Sequence, residues 1–295
     1  MTTTVAASAA SVAPPERMKI QASYASLTLA FIGFVLQAYG VYWCILHSFH
    51  GTSRAGFASL SIGAILLVIA LILHVDHLSY RIGRPAVVLL ILTGIIYGLC
   101  LLPFVLKPSL SIQHAWSNYS GAIWASTFVG MGLALAAIAV HKERQIEKGL
   151  TQVADVGATD AADVTVHASF LSLTLGSTGA FLYAFGAFET VGHFPAGRAT
   201  CVAEVLGFSL LALAIITHVV HLKRHIGTAA VTFAILGPIL MSIAFLSTAV
   251  NPANAKVPSW HHFGAYATGG GRACFAIAIG LIIARKASLE SKSAG

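Results

Sequence analysis

The chain has little charge and very little acid. Of its 295 residues only 9% are Asp, Glu, Lys or Arg, and just 10 are acidic, against about 25% charged in soluble domains. That scarcity excludes an ordinary water-soluble globule. Cysteine is scarce too. Cys44, Cys100, Cys201 and Cys274 show no CxxC or finger spacing, which excludes a zinc ribbon or a disulfide-stapled scaffold. Cys44 and Cys201 both fall near the outer ends of spans, open to a disulfide or to two free thiols. Also missing are a nucleophile–base pair, a glycine-rich phosphate loop, paired catalytic carboxylates and an HExxH sequence. Residues 1–20 are rich in Ala, Ser and Thr without the apolar core of a cleavable leader, and they read as a disordered cytoplasmic tail.

Apolar length is what the chain has in quantity. Hydrophobic residues make up 57% and the mean hydropathy is +0.83. Eight runs, near 22–46, 57–76, 85–106, 119–140, 168–191, 199–221, 226–249 and 263–284, are long enough to cross a bilayer core of about 30 Å. The dyad alternation of a membrane β-barrel is absent. The fold class is therefore an all-α polytopic membrane protein with eight transmembrane helices, its first partner the lipid bilayer.

Charge placement orients it. Arg17, Lys19, Arg81, Arg84, Lys142, Arg144, Lys148, Lys223, Arg224, Arg285, Lys286 and Lys292 fall on one side, whereas Arg54, Lys107, Arg198 and Lys256 fall on the other. The positive-inside rule then puts both termini in the cytoplasm, in a plasma or inner membrane. The net charge of +7 and the pI near 9.4 follow from these collars and do not call for a nucleic-acid partner.

The sequence also repeats. "HVDHLSYRIG" (74–83) returns as "HVVHLKRHIG" (218–227), and eight of the fourteen positions from His74 to Val87 are identical 144 residues later. Trp116 and Trp260 keep that offset, while "ASYASLTLAFIGF" in the first span matches "ASFLSLTLGSTGA" in the fifth at 146. Four spans per copy is an even number, so parallel duplication into two four-helix bundles is expected, related by an axis along the membrane normal. The parts are the tail 1–20, a first repeat 21–141, a cytoplasmic linker 142–166, a second repeat 167–287 and a tail 288–295. The linker's start extends the fourth span as a helix, and its Asp155, Asp160 and Asp163 end reads as flexible.

In outline, four spans with short outer loops, each half is similar to the MARVEL and claudin-like architecture, although the tryptophan-and-paired-cysteine loop of claudins is absent. The stretch "RIGRPA" (81–86) resembles the Gly-Arg-Pro turn of the NrfD/DmsC-type quinol-handling subunits, and the second copy departs from it with "HIGTAA". That resemblance implies a link to quinol.

Three groups of residues are candidates for chemistry. His74 and His77 share a helix face, as do their counterparts His218 and His221. A histidine from each half meeting across the axis would hold haem, and the four donors together would suit copper or zinc. Alternatively they cap the carbonyl ends of spans two and six, where the helix dipole favours donors and cations. The second group lies on the outer face: His47, His50 and His114 in one half, His193, His261 and His262 in the other, beside Trp116 and Trp260. It suits a metal or an aromatic interfacial belt. The third group marks where the copies differ. Glu189, Glu204 and Arg272 replace Trp43, Leu60 and Phe128. A central arginine costs about 2.5–3.5 kcal/mol in the bilayer and needs a partner or water, with Glu204 the expected partner. Ala265, Gly269 and Ala273 form a small-residue ridge suited to close helix packing or to homo-oligomer contacts.

Without a catalytic motif, the leading expectation is a non-enzymatic membrane organiser acting through lateral protein partners. A haem-bearing or quinol-linked electron-transfer subunit and a small transporter or channel are the alternatives.

Overall fold

The computed structural model describes residues 20–46, 54–155, 166, 168–192 and 197–294, and among them there is no β-strand. Residues 1–19, expected as a tail, together with His47, His50, His193 and the linker residues 156–165, lie outside this set. In chain order the helices are α1 (Tyr24–Leu46), α2 (Arg54–Ile72), α3 (Val75–Ile82), α4 (Arg84–Cys100), α5 (Leu102–Leu106), α6 (His114–Asp155), α7 (Phe170–Gly192), α8 (Arg198–Ile216), α9 (Val219–Ile226), α10 (Thr228–Val250) and α11 (Pro258–Ala294). Short 3₁₀ turns at Pro108–Ile112 and Pro252–Lys256 precede α6 and α11. Eight helices are long and apolar enough to cross a membrane, so the chain is built as a multi-pass integral membrane protein.

Two boundaries differ from the sequence expectation. The apolar runs through Leu73–Val75 and Thr217–Val219 conceal a turn, so spans two and six end at Ile72 and Ile216. The repeated histidine phrases form the separate eight-residue helices α3 and α9. Each closes on a glycine of positive φ, Gly83 at 88° and Gly227 at 91°, a backbone region that L side chains rarely enter. At the other end, α6 runs for 42 residues, about 63 Å at 1.5 Å per residue. It continues beyond the bilayer core through the first part of the linker. Residues 288–294, expected as a tail, continue α11. Pro103, which lacks an N–H, sits where α4 breaks into α5, whereas Pro238 lies inside an unbroken α10.

The spanning helices pack in a closed ring, α1–α2–α4–α6–α7–α8–α10–α11 and back to α1. The two quartets are thus not closed on themselves as separate bundles. The edge helices of each, α1 and α6, turn to α11 and α7 of the other. Close approach explains why α1 meets α2 and α7 meets α8: a side chain added at Gly63 would strike the Gly33 carbonyl at 2.8 Å, and one at Gly207 the Gly179 carbonyl at 2.8 Å. In a bilayer, where burying apolar surface gives helices no net attraction, such contacts carry the packing.

Polar bonds between helices recur at the sequence offsets. Ser26 donates to the Ala70 carbonyl (2.8 Å) and Ser172 to that of Ala214 (2.7 Å). Arg54 donates to Leu106 O (3.2 Å) and Arg198 to Val250 O (2.7 Å). Ser61 donates to Gly98 O, and in the other half the donor changes helix, Ser242 to Val205 O. The two joints between halves match as well. Lys142 on α6 donates to the Ala168 carbonyl and lies over the Phe170 ring. Lys286 on α11 donates to the Ile20 and Ala22 carbonyls and lies over Tyr24.

Candidate functional site

The ring interior is built largely of aromatic side chains. Tyr183 packs on Phe128 (4.2 Å) and Phe208 (4.1 Å), Phe208 stacks with Phe245 (6.3 Å), and Phe34 of α1 meets Phe275 of α11 (5.5 Å). Arg272 enters this setting from α11. Its Nη1 donates to the Gln37 side-chain oxygen at 2.6 Å, and its guanidinium lies 5.0 Å over the Trp124 ring of α6. Gln37 is held in turn by a 2.6 Å bond from its amide to the Leu60 carbonyl of α2. Counted along α1, Gln37 lies about 20 Å into a helix about 34 Å long, so the charge sits deep in the bilayer.

The expected ion pair is not formed. Glu204 is fully buried on α8 and accepts from the Thr190 hydroxyl of α7 at 3.2 Å; among the described residues no carboxylate lies within ion-pair distance of Arg272. The reason is angular. Arg272 points towards α1 and α6, whereas Glu204 points towards α7. Tyr183 stands between them, within electrostatic reach of both. Glu189 is half-buried in the last turns of α7, one residue from Thr190.

Two buried hydroxyls complete the arrangement. The Tyr97 hydroxyl of α4 faces the Arg272 guanidinium; the residue is 5% exposed, and its oxygen meets no partner at full hydrogen-bond geometry among the described residues. Thr268, one turn before Arg272 on the same face of α11, is 4% exposed with its hydroxyl equally unpaired. Gln37, Tyr97, Trp124, Tyr183 and Thr268 were not picked out from sequence. The comparison that exposed Arg272 would have found them had it extended to neutral polar and aromatic residues: Gln37 matches Tyr183, Tyr97 matches Met241 and Trp124 matches Thr268.

The histidine pairs sit elsewhere. His74 and His218 occupy the N-cap positions of α3 and α9, with no side-chain capping bond, and His77 and His221 lie in the first turns. This corrects their assignment to the carbonyl ends of spans two and six, because the free backbone groups of a first helical turn are N–H donors. The rings within each pair lie 4.8 Å apart. Helix α3 is seated on α2, α4 and α6, and α9 on α10 and α11, so each pair rests on its own half. Burial, then the neighbouring His74 and Arg81, lower the His77 pKa from its ordinary 6.5.

No cluster of three or more His, Cys, Asp or Glu able to hold a metal ion occurs among the described residues. In the first turn of α11, the His261 ring hydrogen-bonds the Ile45 carbonyl at the end of α1. Trp116 packs edge-on against Phe104 and Tyr119, while Trp260 does so against Phe263. All four cysteines are free thiols. The small-residue ridge is used within the ring, where Gly269 faces Ala38 and Tyr42 of α1.

No protein-family model, no curated protein and no solved structure matches the chain.

Proposed function

We propose that this membrane protein arose by parallel duplication, keeps both termini in the cytoplasm, and uses the interior of its ring to bind and pass a small solute. The matched joints at Lys142 and Lys286, the matched serine and arginine bonds, and the paired glycine crossings support the duplication. The cytoplasmic assignment follows the basic residues clustered at α3, α9 and the far ends of α6 and α11. One observation carries the functional reading: Arg272 lies within the ring, held by a neutral amide and an aromatic face and, among the described residues, by no carboxylate. An intramembrane charge is costly, and one without an ionic partner points to an occupant other than the protein.

Gly269 of the small-residue ridge packs against Ala38 and Tyr42 of α1, so it is not available there for lateral association. Transport makes a direct demand. Proteoliposomes containing the protein should admit at least one small solute from a chemically varied set, followed by light scattering after osmotic shock, and Arg272→Leu should abolish that entry. If wild-type and protein-free vesicles respond alike to every solute, the ring is not a passage.

A further inference from the structure

The donors around Arg272 specify the chemistry of what binds there. Guanidinium carries five N–H donors and no acceptor. Trp124 covers its face and Gln37 takes Nη1, which leaves the edge formed by Nε and Nη2. That edge presents two parallel N–H groups in one plane, the geometry that matches a planar oxyanion bidentately. Tyr97, whose hydroxyl faces the guanidinium, and Thr268 add two buried hydroxyls that meet no partner at full hydrogen-bond geometry among the described residues. The Gln37 side-chain oxygen is already engaged by Arg272 Nη1.

A cluster with spare donors and one net positive charge is mismatched to a cation or to an uncharged apolar solute. It is equally mismatched to a dianion, which would leave one negative charge uncompensated in a medium where unpaired charge is costly. A halide would use one donor and leave the fork idle. Resting on the solute-binding reading above, we infer that the ring interior is a binding site for a small planar monovalent oxyanion, a monocarboxylate or an inorganic ion such as nitrate. Arg272 grips it from the side, and Tyr97 and Thr268 donate to its remaining lone pairs.

Equilibrium dialysis of the full chain in detergent tests this without requiring transport. Radiolabelled acetate and, in a separate arm, labelled nitrate are offered in a buffer whose other small anion is sulfate, with acetamide as the uncharged mimic of acetate. The expected result is saturable binding of one anion per chain, with no competition from sulfate or acetamide. Arg272→Gln abolishes it, and Arg272→Lys, which keeps the charge and loses the fork, weakens it about tenfold. Tyr97→Phe, which removes one oxygen and keeps the ring, also weakens it about tenfold. Saturation by acetate alone identifies a carboxylate site, and saturation by nitrate an inorganic one. Absence of saturable binding by either anion, equal competition by acetamide, or binding unaltered in both Arg272→Gln and Tyr97→Phe overturns the inference. Anion binding without vesicle flux would leave the site standing and remove the passage. Flux of an uncharged solute without anion binding would do the reverse.

Discussion

Leu60 on α2 and Glu204 on α8 hold the same place in the two halves, as do Phe128 on α6 and Arg272 on α11. Gln37 and Tyr183, Tyr97 and Met241, and Trp124 and Thr268 complete a set of five substituted pairs. Ser26 and Ser172, Arg54 and Arg198, Lys142 and Lys286 also hold matching places, and they make the same bonds. The halves therefore agree where helix meets helix and diverge where side chains point inward. A helix joint allows few solutions, because a donor in lipid must find a carbonyl at a set distance. The interior only has to be filled, and that freedom is where a polar site can arise in one half alone.

If the framework is common to both halves, breaking it should cost the same in each. Gly63→Val places a side chain against the Gly33 carbonyl at 2.8 Å, and Gly207→Val meets the Tyr183 backbone nitrogen at 2.7 Å. Backbone cannot swing aside, so each substitution should cost about 3 kcal/mol, the upper end for overpacking, or prevent folding. Size-exclusion profiles and thermal unfolding in detergent give the comparison. A severe defect in one variant beside a mild one in the other would show that the halves do not share a framework.

The interior should respond asymmetrically. Phe128→Arg puts a charge into the first half among Tyr183 and Phe208 and should destabilise by about 2.5–3.5 kcal/mol. The reciprocal Arg272→Phe removes an intramembrane charge and should leave the melting temperature unchanged or raised, with loss confined to solute binding. A large fall in stability from Arg272→Phe would make Arg272 a structural clamp between α1, α6 and α11.

Much of this frame is legible in sequence because it is local. Hydropathy alone marks the eight spans. Ring closure is not legible, since it depends on which helix faces meet, and Lys142 reaches Ala168 across a joint between the halves. The turn at Leu73–His74 escapes notice because the apolar run continues through it. Arg272 and Glu204 stand out as charges in lipid, yet their expected pairing fails. Position along a helix gives depth, whereas azimuth comes only from packing, and the true partner, Gln37, is uncharged and 235 residues away.

Smaller effects are expected at the interfacial helices, where the halves agree in backbone and differ in neighbours. Gly83→Ala and Gly227→Ala both force a side chain into a backbone region used almost solely by glycine, at about 1–3 kcal/mol each. A Cβ at Gly83 would also meet the His141 ring at 2.8 Å, whereas one at Gly227 would meet the Arg285 side chain at 3.2 Å. Gly83→Ala should therefore be the worse of the two in thermal unfolding. Equal losses would mean that backbone strain alone sets the cost.

The slightest effect should come from His77, and its sign follows from linkage. Burial, His74 and Arg81 lower its pKa below 6.5 in the folded chain. Between that lowered value and 6.5 the unfolded chain binds more proton than the folded one, so stability rises with pH across this window. The contribution is fully present above 6.5 and is lost as the pH falls through the folded value. The residue is only partly buried, which keeps the effect small. Unfolding midpoints between pH 5 and pH 7.5 should thus decline gently on the acid side, and His77→Gln should flatten that decline. Because His74 is one of the groups depressing His77, His74→Gln should bring the folded value closer to 6.5, so that the decline ends at higher pH and is smaller. A decline that steepens in His74→Gln would mean that the two rings do not repel one another as protons bind.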